Sequence, residues 1–214
     1  GAYLPLNAGF RALCGLIGDP SLSGPILLVI GLFALWRAAL RLFPQRADAV
    51  AVTMLMALTS VQLLVTGMTP YAMTAHFALN MAWLALVLRD DRIGYGLAGL
   101  VTLLLAGVHQ YHYPLVFLTP FLLWFALGRR WGALIFHTAI IGLAIAIWAK
   151  LWPTLLIDWY GPHADVRPSA GVADKLGSLV ERLEKWRPLL HLSRFLAWNN
   201  LLLVPLALIG LWRM

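Results

Sequence analysis

The sequence predicts an all-α, polytopic integral membrane protein with about seven transmembrane helices, within a range of six to eight. Of its 214 residues, 61% are hydrophobic and 12% are charged, whereas an average soluble domain is about 25% charged. Several apolar runs approach the roughly 20 residues that a helix needs to cross a hydrocarbon core about 30 Å thick. In addition, arginine recurs in alternate turns between these runs.

Six apolar runs fill residues 24–152, after a segment of Gly, Pro and Ser residues that breaks regular structure. The runs cover residues 25–43, 47–65, 72–88, 93–108, 114–127 and 131–152. Runs four and five are short, so one re-entrant hairpin is an alternative to two separate spans. Pro114 suits the start of the fifth helix, and Pro120 is expected to kink it.

Three further segments complete the predicted organisation. Residues 1–23 form an outer-side N-terminal segment, residues 153–192 an outer-side loop, and residues 193–214 the last transmembrane helix. Between residues 171 and 186 of the loop, apolar residues recur at intervals of three and four, which predicts a short amphipathic helix. This helix would lie on the membrane surface or pack on the spans.

The distribution of arginine predicts the orientation. Basic residues follow runs one, three, five and seven, whereas the turns at 68–71 and 109–114 contain no Lys or Arg. By the positive-inside rule, the arginine-bearing turns are cytoplasmic. These arginines are Arg37, Arg41, Arg46, Arg89, Arg92, Arg129, Arg130 and Arg213. The net charge of +7 is thereby explained by orientation charges, and we expect no nucleic-acid partner.

Polar and aromatic residues gather in the outward turns. His76 and Asn80 are one helical turn apart on one face of the third run, and a polar group at membrane depth is costly unless it has a partner or a function. Interhelical hydrogen bonding is the alternative for the histidines. For Tyr71 and Tyr113, the alternative is the aromatic belt that marks membrane interfaces.

A metal site is only weakly indicated. His109 and His112 are three residues apart, but no carboxylate or cysteine accompanies them in the same turn. Cys14 is the only cysteine, which excludes an internal disulfide and a cysteine-based metal site. We therefore predict no cofactor and no metal ligand, although a divalent metal is a weaker alternative.

Two arginines near the outer interface are candidates for binding phosphate. Arg11 and Arg194 each lie beside apolar sequence, and a guanidinium can hold a phosphate through two parallel hydrogen bonds. The alternative is that both side chains extend along apolar surface towards the lipid headgroups.

Three short segments resemble a known family. They are YLPLN at residues 3–7, MTPYAMTAH at 68–76 and GVHQ at 107–110, with an arginine-ended helix between the first two. Together they resemble the middle of a GT-C type glycosyltransferase, a class of polytopic enzymes that use lipid-phosphate-linked sugars. The first segment is similar to the Tyr-Pro-Pro-Leu-Tyr-Pro element of the dolichyl-phosphate-mannose and arabinose transferase branch.

The resemblance implies a lipid bilayer and a lipid-linked sugar donor as partners, and a location in the bacterial inner, or plasma, membrane. In that family the catalytic acid lies on the first outer loop, upstream of the element similar to residues 3–7. We therefore expect the catalytic acid to lie in the remainder of a longer chain. Asp19 lies downstream of this element, so no catalytic residue is assigned here.

The outward polar residues and the resemblance together predict a substrate-binding region. Its residues are Tyr3, Asn7, Arg11, Tyr71, His76, Asn80, His109, Gln110, His112, Arg194 and Asn199. The predicted function is a fragment of a membrane glycosyltransferase that uses a lipid-phosphate-linked sugar donor on the outer face. Two alternatives remain: a transporter or channel module with a His- and Asn-lined pathway, and a non-catalytic membrane scaffold subunit.

Overall fold

The computed structural model describes residues 4–161, and within this range the chain is all-helical with no strand. Residues 4–58 and 63–161 belong to one compact unit, which is the unit described below. Several predictions fall outside the described residues: Tyr3, Arg194, Asn199, the amphipathic helix at 171–186 and the seventh apolar run at 195–211.

The helices follow one another with short connections. They are α1 (Pro5–Leu16), a 3₁₀ turn (Pro20–Leu22), α2 (Ser23–Leu42), α3 (Ala47–Leu58), α4 (Val61–Gly67), α5 (Met73–Val87), α6 (Arg92–Ala106), α7 (Tyr113–Leu127), α8 (Trp131–Ala146), a π-helical turn (Ile147–Leu151) and α9 (Trp152–Tyr160). Each predicted apolar run before residue 152 corresponds to one of these helices or to a pair of them.

Two of the described helical segments are long and apolar enough to cross a membrane, Pro20–Leu42 and Trp131–Tyr160. A third candidate is the pair α3 and α4, which is bent by 56° at residues 59–60. Helices α5, α6 and α7 are apolar but have 15 residues each. The described chain is therefore helical with two or three candidate spans, and the count of seven stays a prediction.

The helical segment that begins at Trp131 extends further than hydropathy predicts. It passes through the π-helical turn and ends at Tyr160, whereas the sixth apolar run ends at residue 152. Pro153 does not end the helix; it comes just after the π-helical turn Ile147–Leu151, where the backbone hydrogen-bond register changes.

Small residues bring α2 close to its neighbours. Ala34 and Ala38 of α2 are buried against Ala85 of α5. A Cβ atom at Gly31 would lie 2.5 Å from the Phe77 ring, so glycine permits this approach. Such small residues are the usual means by which membrane helices approach closely. One side of α5 is therefore packed against α2.

The other side of α5 faces a larger aromatic core. Trp83 of α5 lies in one cluster with Leu118 and Phe125 of α7 and Ile141 of α8, and all four are buried. Helix α5 thus lies between α2 on one side and the helices α6 to α8 on the other. Its inward-facing residues are therefore the ones best placed to form a site.

Charged residues gather at the end of the unit where α5 ends and α6 begins. The Arg130 guanidinium lies 2.7 Å from the Asp90 carboxylate, and this contact joins the α5–α6 turn to the α7–α8 turn. Arg41 of α2 donates a hydrogen bond to the Ala85 carbonyl at the same end. Three arginine-bearing ends therefore meet at this end of the unit, and the side of the membrane on which they lie stays a prediction.

Asp91 begins helix α6. Its carboxylate accepts a hydrogen bond from the Gly94 N–H and lies 2.8 Å from the Arg89 guanidinium. First the backbone hydrogen bond and then Arg89 hold the pKa of Asp91 below its ordinary value. This is the N-cap arrangement that short polar side chains favour at helix starts.

Candidate functional site

The three sequence segments that carry the family resemblance meet at the opposite end of α5, where this helix begins. The Leu6 backbone N–H donates to the Gly107 carbonyl at 3.2 Å. The Asn7 side-chain amide donates to the Pro70 carbonyl at 3.3 Å. Two direct hydrogen bonds thus connect residues 3–7 with both the 68–76 segment and the 107–110 segment, which are far apart in sequence. We call this end of the unit the motif junction.

Gly107 is needed for this close approach. A Cβ atom there would lie 2.5 Å from the Trp148 ring and 2.7 Å from Leu6 Cδ1. The Trp148 indole N–H in turn donates to the Leu103 carbonyl at 2.8 Å. Trp148 belongs to the π-helical turn Ile147–Leu151, and such turns are frequent at functional sites.

Histidine and tyrosine rings cluster at the motif junction around Tyr113, the first residue of α7. The His109 ring stacks on Tyr113, with centroids 5.6 Å apart and planes 10° apart. His112 lies 5.0 Å from the same ring, and His76 of α5 approaches it edge-on at 6.1 Å. Tyr113 therefore joins α5, the 107–112 turn and α7, and the predicted set of site residues omitted it.

Three other predicted site residues, Arg11, Gln110 and Tyr71, lie outside this cluster of rings. Arg11 is half-buried and lies one turn after Asn7 on α1, so the two share a helix face. Gln110 is half-buried in the turn, where its backbone carbonyl accepts from the Tyr113 N–H. Tyr71 is 69% exposed, as an interfacial tyrosine would be. The structure thus brings Asn7, His76, His109 and His112 to one end of the unit.

A metal cluster is not found in the described part of the chain. Within residues 4–161, no group of three or more His, Cys, Asp or Glu side chains is placed to hold a metal ion. The histidine rings of the motif junction instead make aromatic contacts with Tyr113.

A row of polar atoms follows one face of α5 into the interior. His76, Asn80 and Trp83 occupy successive turns at spacings of four and three, which places them on the same face. His76 Nε2, Asn80 Oδ1 and Trp83 Nε1 are buried and have no hydrogen-bond partner among residues 4–161. Trp83, which hydropathy treats as apolar, therefore shares the helix face that was predicted for His76 and Asn80.

His137 of α8 continues this row and was missed in the sequence. Its side chain is 1% exposed, and neither ring nitrogen has a hydrogen-bond partner in the described part of the chain. Its ring lies 5.5 Å from Trp83, 5.6 Å from Tyr95 and 5.5 Å from Phe125, on which it stacks. The sequence signal was available, because His137 is the one titratable residue in the largely apolar stretch from 132 to 149.

The row ends at the charged end of the unit. The Tyr95 hydroxyl donates to the Asp90 carboxylate, which also binds Arg130. We call the residues His76, Asn80, Trp83, His137 and Tyr95 the polar row. A buried polar group without a partner costs about 1–3 kcal/mol. Four side chains of the polar row carry such an atom when the described residues alone are counted, so they are candidates for a functional role or for binding internal water.

Comparison with known protein families, with curated proteins and with solved structures finds no match for this chain.

Proposed function

We propose that this chain is part of an integral membrane glycosyltransferase of the GT-C type, which uses a lipid-phosphate-linked sugar donor. The observation that carries the proposal is the motif junction. The three segments that resemble the family are separate in sequence, yet Leu6 binds Gly107 and Asn7 binds Pro70. Segments that form one substrate-binding region in an enzyme are expected to converge in this manner.

The proposal includes the topology. We propose about seven spans, with the arginine-bearing turns in the cytoplasm of a bacterial inner membrane and the motif junction at the outer face. The meeting of Arg41, Asp90 and Arg130 at the other end supports a common side for these turns. In this arrangement a lipid-linked donor reaches the junction from the bilayer, and an acceptor arrives from outside. The catalytic acid is proposed to lie in the remainder of a longer chain.

Single-cysteine labelling tests the topology. Cys14 is buried, so an impermeant thiol reagent should label only an introduced cysteine at Gln45, Asp90 or Tyr111. In intact cells we expect labelling of Tyr111→Cys and protection of Gln45→Cys and Asp90→Cys. Opening the cells should expose all three. The reverse pattern, or labelling of all three in intact cells, would contradict the orientation.

Donor binding tests the function without requiring the catalytic acid. The purified full chain should bind a short-chain polyprenyl-phosphate-linked sugar and bind the corresponding free polyprenol much more weakly. Arg11→Gln should weaken donor binding by roughly 10- to 100-fold, because a hydrogen bond to a charged group contributes about 1.5–3 kcal/mol. The matched control is Arg129→Gln, which removes one charge from the other end. Equal binding of donor and polyprenol, or equal effects of the two variants, would exclude the proposed phosphate site.

A second candidate, a transporter or channel module, is favoured by the polar row. His76 and Asn80 carry buried atoms without partners on one helix face, as the lining of a pathway would. Donor binding and transport are measured separately, so the two candidates can be distinguished directly.

A further inference from the structure

We infer that the polar row is a hydrated pathway that carries protons between the motif junction and the charged end of the unit. The side chains of the polar row follow one another without a gap in the helical face or in the ring contacts. His76, Asn80 and Trp83 occupy successive turns of α5, and the Trp83 ring touches His137, which touches Tyr95. Tyr95 donates to Asp90. Polar side chains therefore run from the first turn of α5 to the surface beyond its last turn.

Burial makes this arrangement informative. Trp83 and His137 are each 1% exposed, and their side-chain nitrogens have no hydrogen-bond partner among the described residues. By contrast, the buried Thr102 hydroxyl of α6 is bonded to the Ala98 carbonyl at 3.0 Å. Buried polar groups without protein partners are commonly bonded to internal water. The polar row is thus a set of sites for water, whereas Thr102 is a buried polar residue that the fold already satisfies.

Each residue of the polar row has a part in the proton transfer that follows from its donor and acceptor atoms. His137 has two ring nitrogens, so it can accept a proton on one and release a different proton from the other. His76 can do the same at the motif junction. Asn80 and Trp83 do not titrate, and they hold and orient water between the two histidines. Each step breaks one O–H or N–H bond as the next is formed, so one proton entering at His76 is balanced by one leaving through Tyr95 and Asp90.

The surroundings of His137 keep other charges away from it. Its ring contacts come from Trp83 of α5, Tyr95 of α6, Phe125 of α7 and Phe136 of α8. Among these neighbours Tyr95 is the titratable one, and it leads to the ion pair of Asp90 with Arg130. The acidic and basic groups therefore lie at the exit, and the middle of the pathway is uncharged.

Proton flux into liposomes tests the inference. The full chain is reconstituted with an internal pH-sensitive dye, and a potassium gradient with valinomycin provides the driving potential. We expect the wild type to acidify the lumen at least several-fold faster than protein-free liposomes. His137→Phe should reduce this excess flux about tenfold or more, because it removes both nitrogens and fills the site with an apolar ring.

A second pathway variant and a matched control complete the test. Asn80→Leu should also reduce the flux, whereas Thr102→Val should leave it unchanged, since that hydroxyl is already bonded to its own helix. Size-exclusion profiles establish that each reconstituted variant is folded. Wild-type flux equal to that of empty liposomes would overturn the pathway, even if no variant folds. So would a His137→Phe or Asn80→Leu variant that conducts like the wild type. The outcome does not depend on sugar transfer, because donor binding is measured in the absence of a proton gradient.

Discussion

Replacing Gly31 by alanine is expected to destabilise the contact between α2 and α5. A Cβ atom at this position would lie 2.5 Å from two atoms of the Phe77 ring and 3.1 Å from the Ala78 Cα atom. A ring could rotate aside, but the α5 backbone at Ala78 cannot move without shifting the whole helix. The two helices must therefore separate slightly, which reduces packing along their shared face.

The magnitude follows from the cost of overpacking. Inserting a methyl group into a well-packed site costs about 1–3 kcal/mol. For a chain of this size, 1 kcal/mol corresponds to about 2–4 °C in Tm. We therefore expect Gly31→Ala to lower the Tm of the purified full chain by roughly 2–12 °C. Thermal unfolding in a mild detergent, followed by tryptophan fluorescence, measures this shift.

The matched controls are Gly96→Ala in α6 and Gly142→Ala in α8. A Cβ atom at either position meets nothing within 4 Å. Alanine favours a helix over glycine by about 0.8–1 kcal/mol, so the controls should keep or slightly raise the Tm. If Gly31→Ala unfolds together with its controls, the close approach of α2 and α5 is not present in the folded protein.

Three further expectations concern the two ends of the unit. Trp148→Phe removes the hydrogen bond to the Leu103 carbonyl and should cost about 0.5–1.5 kcal/mol in a chemical unfolding experiment. Gly107→Ala should lower the Tm because its Cβ atom would overlap the Trp148 ring; a Tm equal to that of the wild type would contradict the tight motif junction. The lowered pKa of Asp91 means that its contribution to stability is complete above the unfolded value of about 3.9 and is lost as the pH falls through the lower folded value. Asp91→Asn should therefore flatten the decline of Tm in acid, and an unchanged acid profile would show that the Gly94 cap does not form.

The sequence predicted the helices because their signals are local. The six apolar runs before residue 153 correspond to described helices, and Arg41, Arg89 and Arg130 lie together at one end of the unit. The same face of α5 was predicted for His76 and Asn80 from a spacing of four residues alone. Each of these inferences depends on neighbours within a few turns of the same helix.

Other features could not be predicted, because they depend on contacts between distant segments. The break at residues 59–60 interrupts an apolar run that contains no proline or glycine there. Trp83 is apolar by composition, and its unpartnered nitrogen emerges only when its neighbours are known. His137 could have been noticed as an isolated polar residue, but its link to Trp83 and Tyr95 requires three helices to be placed together.

The unequal lengths of the helices affect the lipid around them. Helices α5, α6 and α7, with 15 residues each, are about 22 Å long, whereas the 30-residue segment Trp131–Tyr160 extends about 45 Å. If α5, α6 and α7 cross the membrane as proposed, the bilayer must become thinner beside them or the long segment must tilt. We therefore expect the reconstituted chain to be more stable in lipids with short acyl chains than with long ones, as measured by its unfolding temperature. The protein would then prefer a thin patch of membrane, where water and headgroups lie closer to the middle of the bundle.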